Sequence, residues 1–222
     1  MAGDSDELSD GWQAYRSGDL ERAEQLCRRL IEADERHAGA LFLLGLIEQT
    51  RGRTGAAIDV LRRLLRLRPN YAEAHNNLGN ALAAEGRFKE AERALREAAR
   101  LKPSFFEAQN NLGNVLREER KLDEAVASYQ RSLELKPDYA DAHNNLGIAF
   151  ARLGRVDDAI ACYRRAVELR PSFAEPHNNR GVALARQGRL DEAAGGFGRA
   201  IELKPDYADA VVFPEIPAAE NG

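Results

Sequence analysis

The sequence has no excess of basic residues. Its 222 residues include 32 lysines and arginines against 36 aspartates and glutamates, and the formal net charge is −4 at pH 7. Because proteins that bind nucleic acid need a basic surface, no nucleic-acid partner is expected. Cysteine is scarce as well, since only Cys27 and Cys162 occur, far apart and in no metal-binding or redox spacing. Two free thiols in a reducing compartment are therefore predicted.

Long apolar segments are also missing. The longest apolar run, ALFLLGLI, covers residues 40–47, whereas a membrane-spanning helix needs about 20 residues. The first ten residues, MAGDSDELSD, are acidic and lack the apolar core of a secretory signal. We therefore expect a cytoplasmic protein without a membrane partner, with residues 1–6 as a flexible acidic N-terminus.

Motifs that carry catalysis are absent too. There is no Gly-rich phosphate loop, no nucleophile elbow and no HExxH sequence. His75, His143 and His177 share one phase of a repeat, but ligands must lie ~2.0–2.1 Å from a zinc ion, and equivalent residues of successive repeats cannot converge so closely. The sequence predicts no enzyme, no cofactor and no metal, and a structural role for the histidines.

What the sequence does contain is a strict repeat. Prolines, glycines and alanines each recur at intervals of 34 residues: Pro69, Pro103, Pro137, Pro171 and Pro205; Gly45, Gly79, Gly113, Gly147 and Gly181; Ala57, Ala91, Ala125, Ala159 and Ala193. This period indicates helix–turn–helix repeats. In the repeat that ends at Pro103, helix A is predicted at about 72–85 and helix B at about 88–101. Gly86 lies between them, where a residue in the left-handed conformation ends helix A. At the equivalent position of the next repeat, Arg120 replaces glycine.

The LG motif, followed about twelve residues later by Ala and then by Pro, resembles the tetratricopeptide repeat over residues 7–205. The resemblance implies an all-α fold, a right-handed α-solenoid of about six units. The first unit is divergent, because Glu35 stands where Pro is expected. Residues 206–222 are expected to form a tail with a further helix that Pro214 and Pro217 abort.

Each helix A is also predicted to begin with a capping box, in which a side-chain acceptor precedes an acid by three residues. The pairs are Asn70/Glu73, Ser104/Glu107, Asp138/Asp141, Ser172/Glu175 and Asp206/Asp209.

Two adjacent asparagines recur on helix A. The pairs are Asn76/Asn77, Asn110/Asn111, Asn144/Asn145 and Asn178/Asn179, and Asn80 and Asn114 lie one turn further along. The resemblance places this stripe on the concave wall of the solenoid. A primary amide offers the donors and the acceptor that a peptide unit needs. Repeats stacked at about 10 Å match about three residues of extended chain. The ladder is therefore predicted to bind a peptide backbone, although the second asparagine of each pair could instead brace neighbouring helices.

Three further features bear on this groove. Arg117, Arg152 and Arg186 are interpreted as groove or rim charges, which either meet acidic or phosphate groups or are simply solvated. The second repeat carries apolar residues where later repeats carry groove asparagines. These residues, Phe42, Leu43 and Leu46, either pack against the first repeat or form an apolar pocket. The last repeat is predicted to be weak, because it carries Arg180 in place of a core leucine, Pro176 in helix A, and Gly195, Gly196 and Gly198 in helix B.

The predicted function is that of a non-enzymatic scaffold that binds an extended peptide or protein segment in its groove. The residues Asn77, Asn111, Asn145 and Asn179 are similar to the asparagine ladder of O-linked N-acetylglucosamine transferases. That similarity implies an alternative, a substrate-selecting or regulatory region of a glycosyltransferase-like system. A third hypothesis is a structural scaffold that self-associates through an uncapped C-terminal end.

Overall fold

The computed structural model describes residues 2–205, with side chains from residue 6 onward, and this part of the chain forms twelve α-helices. Their bounds are α1 Ala2–Arg16, α2 Leu20–Ala33, α3 Ala38–Thr50, α4 Thr54–Leu67, α5 Ala72–Ala84, α6 Phe88–Leu101, α7 Phe106–Glu118, α8 Leu122–Leu135, α9 Ala140–Arg152, α10 Val156–Leu169, α11 Ala174–Arg186 and α12 Leu190–Leu203. The predicted all-α class is confirmed. Residues 206–222, including the predicted tail, Asp206/Asp209 and the two prolines, lie outside the described residues.

The chain divides into two compact units, Met1–Val115 and Leu116–Gly222, which are called unit 1 and unit 2 below. In unit 1 each helix packs on the next from α1 to α6, and α3 also contacts both α1 and α5. In unit 2 the same sequential packing runs from α8 to α12, and α9 also contacts α11. The odd-numbered helices therefore form a continuous layer within each unit, called the first-helix surface.

The N-terminus differs from the prediction of a flexible segment. Helix α1 begins at Ala2, so residues 2–6 belong to a helix. Glu7 accepts a hydrogen bond of 2.8 Å from Nε of Arg29 on α2.

Close approach within the pairs α3/α4, α5/α6, α9/α10 and α11/α12 depends on a glycine. A methyl group at Gly79 would lie 2.5 Å from Cγ of Leu95, and one at Gly147 would lie 2.6 Å from the ring of Tyr163. Such contacts are too short for any side chain larger than hydrogen. The LG motif therefore marks the point where the second helix presses a large core residue against the backbone of the first.

The turn between the paired helices requires a left-handed residue. Gly86 has φ of 73°, and the glycines at the equivalent positions 18, 52, 154 and 188 also have positive φ. Arg120 adopts the same conformation with φ of 61°, at a cost of about 1–2 kcal/mol for a residue with a Cβ. Arg120 therefore differs from the other turn residues in its residue type and not in its backbone conformation.

The predicted capping boxes do not form at α5, α9 and α11. The N-cap residues of these helices are Tyr71, Tyr139 and Phe173, and no side chain caps them. The predicted acceptors stand one residue too early. Antiparallel pairing instead brings the acids of the first turn to the end of the second helix.

The acids of the first turn bind cations at that end. Glu73 accepts a hydrogen bond of 2.8 Å from Lys102, and Asp141 accepts one of 2.7 Å from Arg170. The hydrogen bond from Lys102 lowers the pKa of Glu73. Arg170 also stacks 3.8 Å from the ring centroid of Phe173, a cation–π contact that repeats between Lys102 and the following phenylalanine.

A buried charge network joins the first two repeats. Glu48 is 3% exposed and occupies the position where α5, α7 and α11 carry core leucines. It forms an ion pair with Arg53, which also binds Glu24 at 2.8 Å. The pKa of Glu24 is lowered, chiefly by its hydrogen bond to Arg53. Because both carboxylates have arginine partners, the polar substitution in this core is compensated.

The unusual residues of the last repeat are accommodated in different ways. Arg180 is half-buried, and its charge contributes to the lowered pKa of Glu192, for which the main cause is the hydrogen bond from Arg189. Pro176 is buried in the first turn of α11, where a backbone N–H has no partner within the helix in any case. The predicted weakness therefore does not arise from Pro176.

The glycines of α12 fall into two classes, and this yields a stability prediction. A methyl group at Gly196 would lie 3.0 Å from the carbonyl oxygen of His177, whereas none at Gly195 would meet an atom within 4 Å. Gly195→Ala should stabilise the protein by about 0.5–1 kcal/mol through helix propensity. Gly196→Ala should destabilise it by about 1–3 kcal/mol through overpacking. Urea unfolding followed by circular dichroism tests both, and equal shifts of the same sign would contradict the assignment.

Candidate functional site

The first asparagine of the first three pairs is part of the packed interior. Asn76, Asn110 and Asn144 are 8%, 3% and 2% exposed. Within unit 2, Nδ2 of Asn144 donates to the Glu175 carboxylate at 3.1 Å. These three residues were predicted to line the groove, and their burial corrects that prediction. A helix that is covered on both sides by neighbouring first helices leaves little room for exposed amides at this position.

The second asparagine of the pair fastens one repeat to the one before it. In unit 1, Nδ2 of Asn111 donates to Oδ1 of Asn76 at 3.0 Å. In unit 2, Nδ2 of Asn179 donates to Oδ1 of Asn144 at 3.2 Å. Bracing, one of the two interpretations left open by the sequence, therefore applies to Asn111 and Asn179. Asn77 differs, because its Nδ2 donates to the Glu73 carbonyl oxygen within its own helix.

These bonds determine what the amides offer to a ligand. The second asparagines are half-buried, so one edge of each reaches solvent. Nδ2 of Asn77, Asn111 and Asn179 donates one hydrogen bond each, whereas their Oδ1 atoms have no hydrogen-bond partner among the described residues. Asn145 is also half-buried and has a partner of its own. The first-helix surface therefore presents amide oxygens whose orientation is fixed by the hydrogen bond from Nδ2.

The remaining predicted amides lie on the same surface. Asn80 and Asn114 are half-buried, and Asn114 already has a partner. Asn178, in the last pair, is half-buried and its Oδ1 is enclosed without a hydrogen-bond partner within residues 2–205. The sequence analysis missed Gln49, whose Nε2 donates to the Asn77 carbonyl oxygen at 2.7 Å.

The three predicted arginines lie in unit 2 and differ in their surroundings. The side chain of Arg117 is 16% exposed, its Nε donates to Glu118 at 3.2 Å, and its Nη1 is enclosed without a partner among the described residues. Nη1 of Arg152 donates to the Arg117 carbonyl oxygen at 3.4 Å. Arg186 is exposed and forms no ion pair within the described part of the chain. The three arginines make this part of the surface basic. Glu118 is the acidic residue that contacts two of them, Arg117 and Arg152.

A cavity of about 410 Å³ opens between α9 and α11, and two of these arginines line it. Its lining residues are Ile148, Ala151, Arg152, Val156, Tyr163, Asn179, Val182, Ala183 and Arg186. The apolar part of this cavity was not predicted, but the sequence carries a signal for it. Ile148 and Val182 follow the repeated glycine at the position where Asn80 stands in the earlier repeat.

The predicted apolar pocket in unit 1 is filled by packing. Leu43 is fully buried and belongs to the core with Ala14 and Cys27. The ring of Phe42 lies 4.9 Å from that of Tyr71 and 6.3 Å from that of Trp12, measured between centroids. Leu46 is half-buried on the same helix. Leu43 therefore packs against the first repeat, whereas Phe42 lies between Trp12 of the first repeat and Tyr71 of the third.

The periodic histidines have a structural role. Nε2 of His75, His143 and His177 lies 2.8, 3.0 and 3.1 Å from the carbonyl oxygens of Pro69, Pro137 and Pro171. Burial lowers the pKa of His143, and the contact with the proline carbonyl opposes this effect. The described residues contain no group of three His, Cys, Asp or Glu that could hold a metal ion. Within residues 2–205, no helix has the length and apolarity needed to cross a bilayer.

Comparisons with known proteins agree with the repeat architecture. A tetratricopeptide repeat model matches residues 10–72, 48–104 and 144–208, and a second repeat model, described as TPR repeat, matches residues 113–154. The solved structure of MamA is 28% identical, with a TM-score of 0.66 over 75% of this chain and 97% of MamA. Among curated proteins, no sequence matches.

Two further solved structures show the fold at lower identity. The pilF protein of Pseudomonas aeruginosa is 23% identical, with a TM-score of 0.80 over 93% of this chain and 96% of its own. YrrB, described as a TPR protein with an unusual peptide-binding site, is 23% identical, with a TM-score of 0.64 over 82% and 94%.

The bracing role of Asn111 predicts a loss of stability. Asn111→Ala removes the donor to Oδ1 of Asn76, and a buried acceptor without a partner costs about 1–3 kcal/mol. Asn80→Ala is the matched control, because no hydrogen bond of this half-buried residue is lost, and its effect should stay within about 0.5 kcal/mol. Urea unfolding measures both. If the two variants unfold alike, the bond between the two repeats contributes nothing to stability.

The aromatic contacts of Phe42 predict a second effect. Phe42→Ser should destabilise the protein by about 2–4 kcal/mol, because the ring packs against two other rings. Leu190→Ser is the control, since Leu190 is 58% exposed and its loss should change little. Thermal unfolding of the two variants measures both effects on stability. Wild-type stability of the Phe42 variant would mean that the ring is free to serve a ligand.

Proposed function

The chain belongs to the tetratricopeptide repeat family, and we propose that its first-helix surface binds an extended segment of a partner protein, without catalysing a reaction. The proposal places the segment across successive first helices within a unit. It names the class of partner and not its identity.

The observation that carries the proposal is the set of fixed amide oxygens. In unit 1, Asn77 and Asn111 occupy equivalent positions in successive repeats, and a hydrogen bond from Nδ2 holds each side chain in place. Their Oδ1 atoms are acceptors suited to the N–H groups of a peptide backbone. Equivalent positions on packed helices lie about 10 Å apart, which corresponds to about three residues of extended chain.

Fixing the amides in advance favours binding. A side chain that is already ordered by a bond to its neighbour loses little conformational freedom when a ligand arrives. Contacts to backbone N–H groups also depend little on the ligand's side chains. These residues therefore supply general affinity, and selectivity must come from other parts of the surface.

A structural relative gives secondary support. YrrB is described as having a peptide-binding site. At 23% identity its likeness to this chain extends to the fold alone, so the asparagine geometry carries the argument. The glycosyltransferase-like alternative stays a hypothesis from the sequence, and so does self-association. Neither gains a specific observation from the described residues.

The proposal predicts that Asn77→Ala combined with Asn80→Ala weakens peptide binding without unfolding the protein. Neither residue braces a neighbouring repeat, so the melting temperature should change little. A peptide selected on the wild-type protein from a random library should bind the variant about tenfold more weakly, since each lost hydrogen bond is worth about 0.5–1.5 kcal/mol. Fluorescence polarisation with the labelled peptide measures the affinity.

The control is Gln25→Ala, which removes an exposed amide from the second helix of a repeat in the same unit. Its affinity for the peptide should equal that of the wild type. Hydrogen exchange of the complex locates the bound peptide, and new protection is expected on α3, α5 and α7. Protection confined to α4 and α6, or an unchanged affinity for the double variant, would refute the proposed surface.

A further inference from the structure

The cavity between α9 and α11 combines an aliphatic floor with a basic rim. Ile148, Val182 and Ala183 supply apolar surface, and Arg152 and Arg186 end the two helices beside them. A volume of about 410 Å³ is within the usual range for ligand pockets, ~300–1,000 Å³. No acidic residue lines it. The cavity therefore has room for an apolar side chain and a surplus of positive charge at one edge.

The carboxylates near this rim accept hydrogen bonds, although those of Glu175 and Asp157 come from the neutral amides of Asn144 and Gln187. Asp158 accepts a hydrogen bond of 2.7 Å from Arg155, and Asp157 accepts one of 2.7 Å from Gln187. Glu118 lies 3.2 Å from Nε of Arg117 and 4.0 Å from Nη2 of Arg152, so it is shared between two cations.

The guanidinium donors at the rim are correspondingly under-used. Arg186 has no ion pair among the described residues, and Arg152 has one long contact to a carboxylate and one to a carbonyl oxygen. Arg117, with its enclosed Nη1, adds a third positive charge behind the rim. Guanidinium groups bind carboxylates with two parallel hydrogen bonds where both partners are accessible. The rim therefore complements an acidic ligand.

We infer that this cavity selects the sequence of the bound segment, taking an aliphatic side chain on its floor and side-chain carboxylates of neighbouring residues at Arg152 and Arg186. The inference rests on the proposed function, since it names the kind of extended segment that the first-helix surface prefers. The partner is an acidic stretch of protein with an aliphatic residue at its centre.

The spacing follows from the geometry of an extended chain. Alternate side chains of such a chain point to the same side. An aliphatic residue that enters the floor therefore directs the residues two positions away toward the same surface. Asn179 lines the cavity as well, and its free Oδ1 can accept from the backbone of that segment. The expected pattern has Asp or Glu two positions from Leu, Ile or Val.

The test uses a random peptide library of about twelve residues, a length that spans ~40 Å when extended. The peptides are displayed with both ends joined to the carrier, so that no terminal carboxylate is present. Selection is carried out on the wild type, on Arg152→Gln combined with Arg186→Gln, and on the control Arg164→Gln combined with Arg199→Gln. The control arginines lie exposed on α10 and α12 and lose the same charge.

The expected result is enrichment of the acidic–aliphatic pattern on the wild type and the control, and its loss on the Arg152/Arg186 variant. An enriched peptide, synthesised with blocked ends, should bind the wild type about tenfold more tightly than the Arg152/Arg186 variant, given two partly exposed ion pairs. Replacing its Asp and Glu by Asn and Gln should cause the same loss. Added salt should weaken the binding of the acidic peptide more than the binding of the neutral peptide.

Each other outcome is decisive. Enrichment without acidic residues, or an acidic pattern that survives in the Arg152/Arg186 variant, overturns this inference and leaves the proposed function standing. Failure to enrich any peptide on the wild type counts against both. Circular dichroism and melting temperatures confirm that the compared variants are folded.

Discussion

The architecture depends on one constraint: a single pair of short helices cannot cover its own apolar faces. Leu78 and Leu82 are buried, and α5 packs on α4 of the preceding pair as well as on its own partner α6. Stacking requires every pair to have the same thickness. The glycine at position 79 and its equivalents meet that requirement, because they let a large residue such as Leu95 press against the backbone. The strict period is a consequence of this repeated contact.

The asparagine pairs show how the same stacking constrains a surface. An amide that lies between two first helices is buried, and burial is unfavourable unless hydrogen bonds are made. Asn76 satisfies its acceptor with Asn111 of the next repeat, and Asn144 does the same with Asn179. One N–H of each of these second asparagines is used in this way, and its Oδ1 has no partner among the described residues. Stability and recognition are therefore divided between two atoms of one side chain.

Local departures from the repeat are compensated by tertiary neighbours. Glu48 replaces an apolar core residue, yet it is held by Arg53 in a network that includes Glu24. Arg120 replaces the turn glycine and still adopts positive φ, since the helices on either side of it determine the backbone. Such positions look like defects in a sequence pattern, and the compensating partner lies elsewhere in the chain.

The sequence by itself determined the all-α class, the helix bounds near residues 72–84 and 88–101, and the positions of the turns, because period, proline and glycine act locally on the backbone. It also identified the asparagines as a periodic feature. Only the tertiary structure decided that Asn76 is buried, that Glu73 pairs with Lys102 in place of capping its helix, and that Arg152 and Arg186 share a cavity with Ile148 and Val182. These outcomes depend on which groups meet across helices, and distances between residues some 30 positions apart are not encoded in any local pattern.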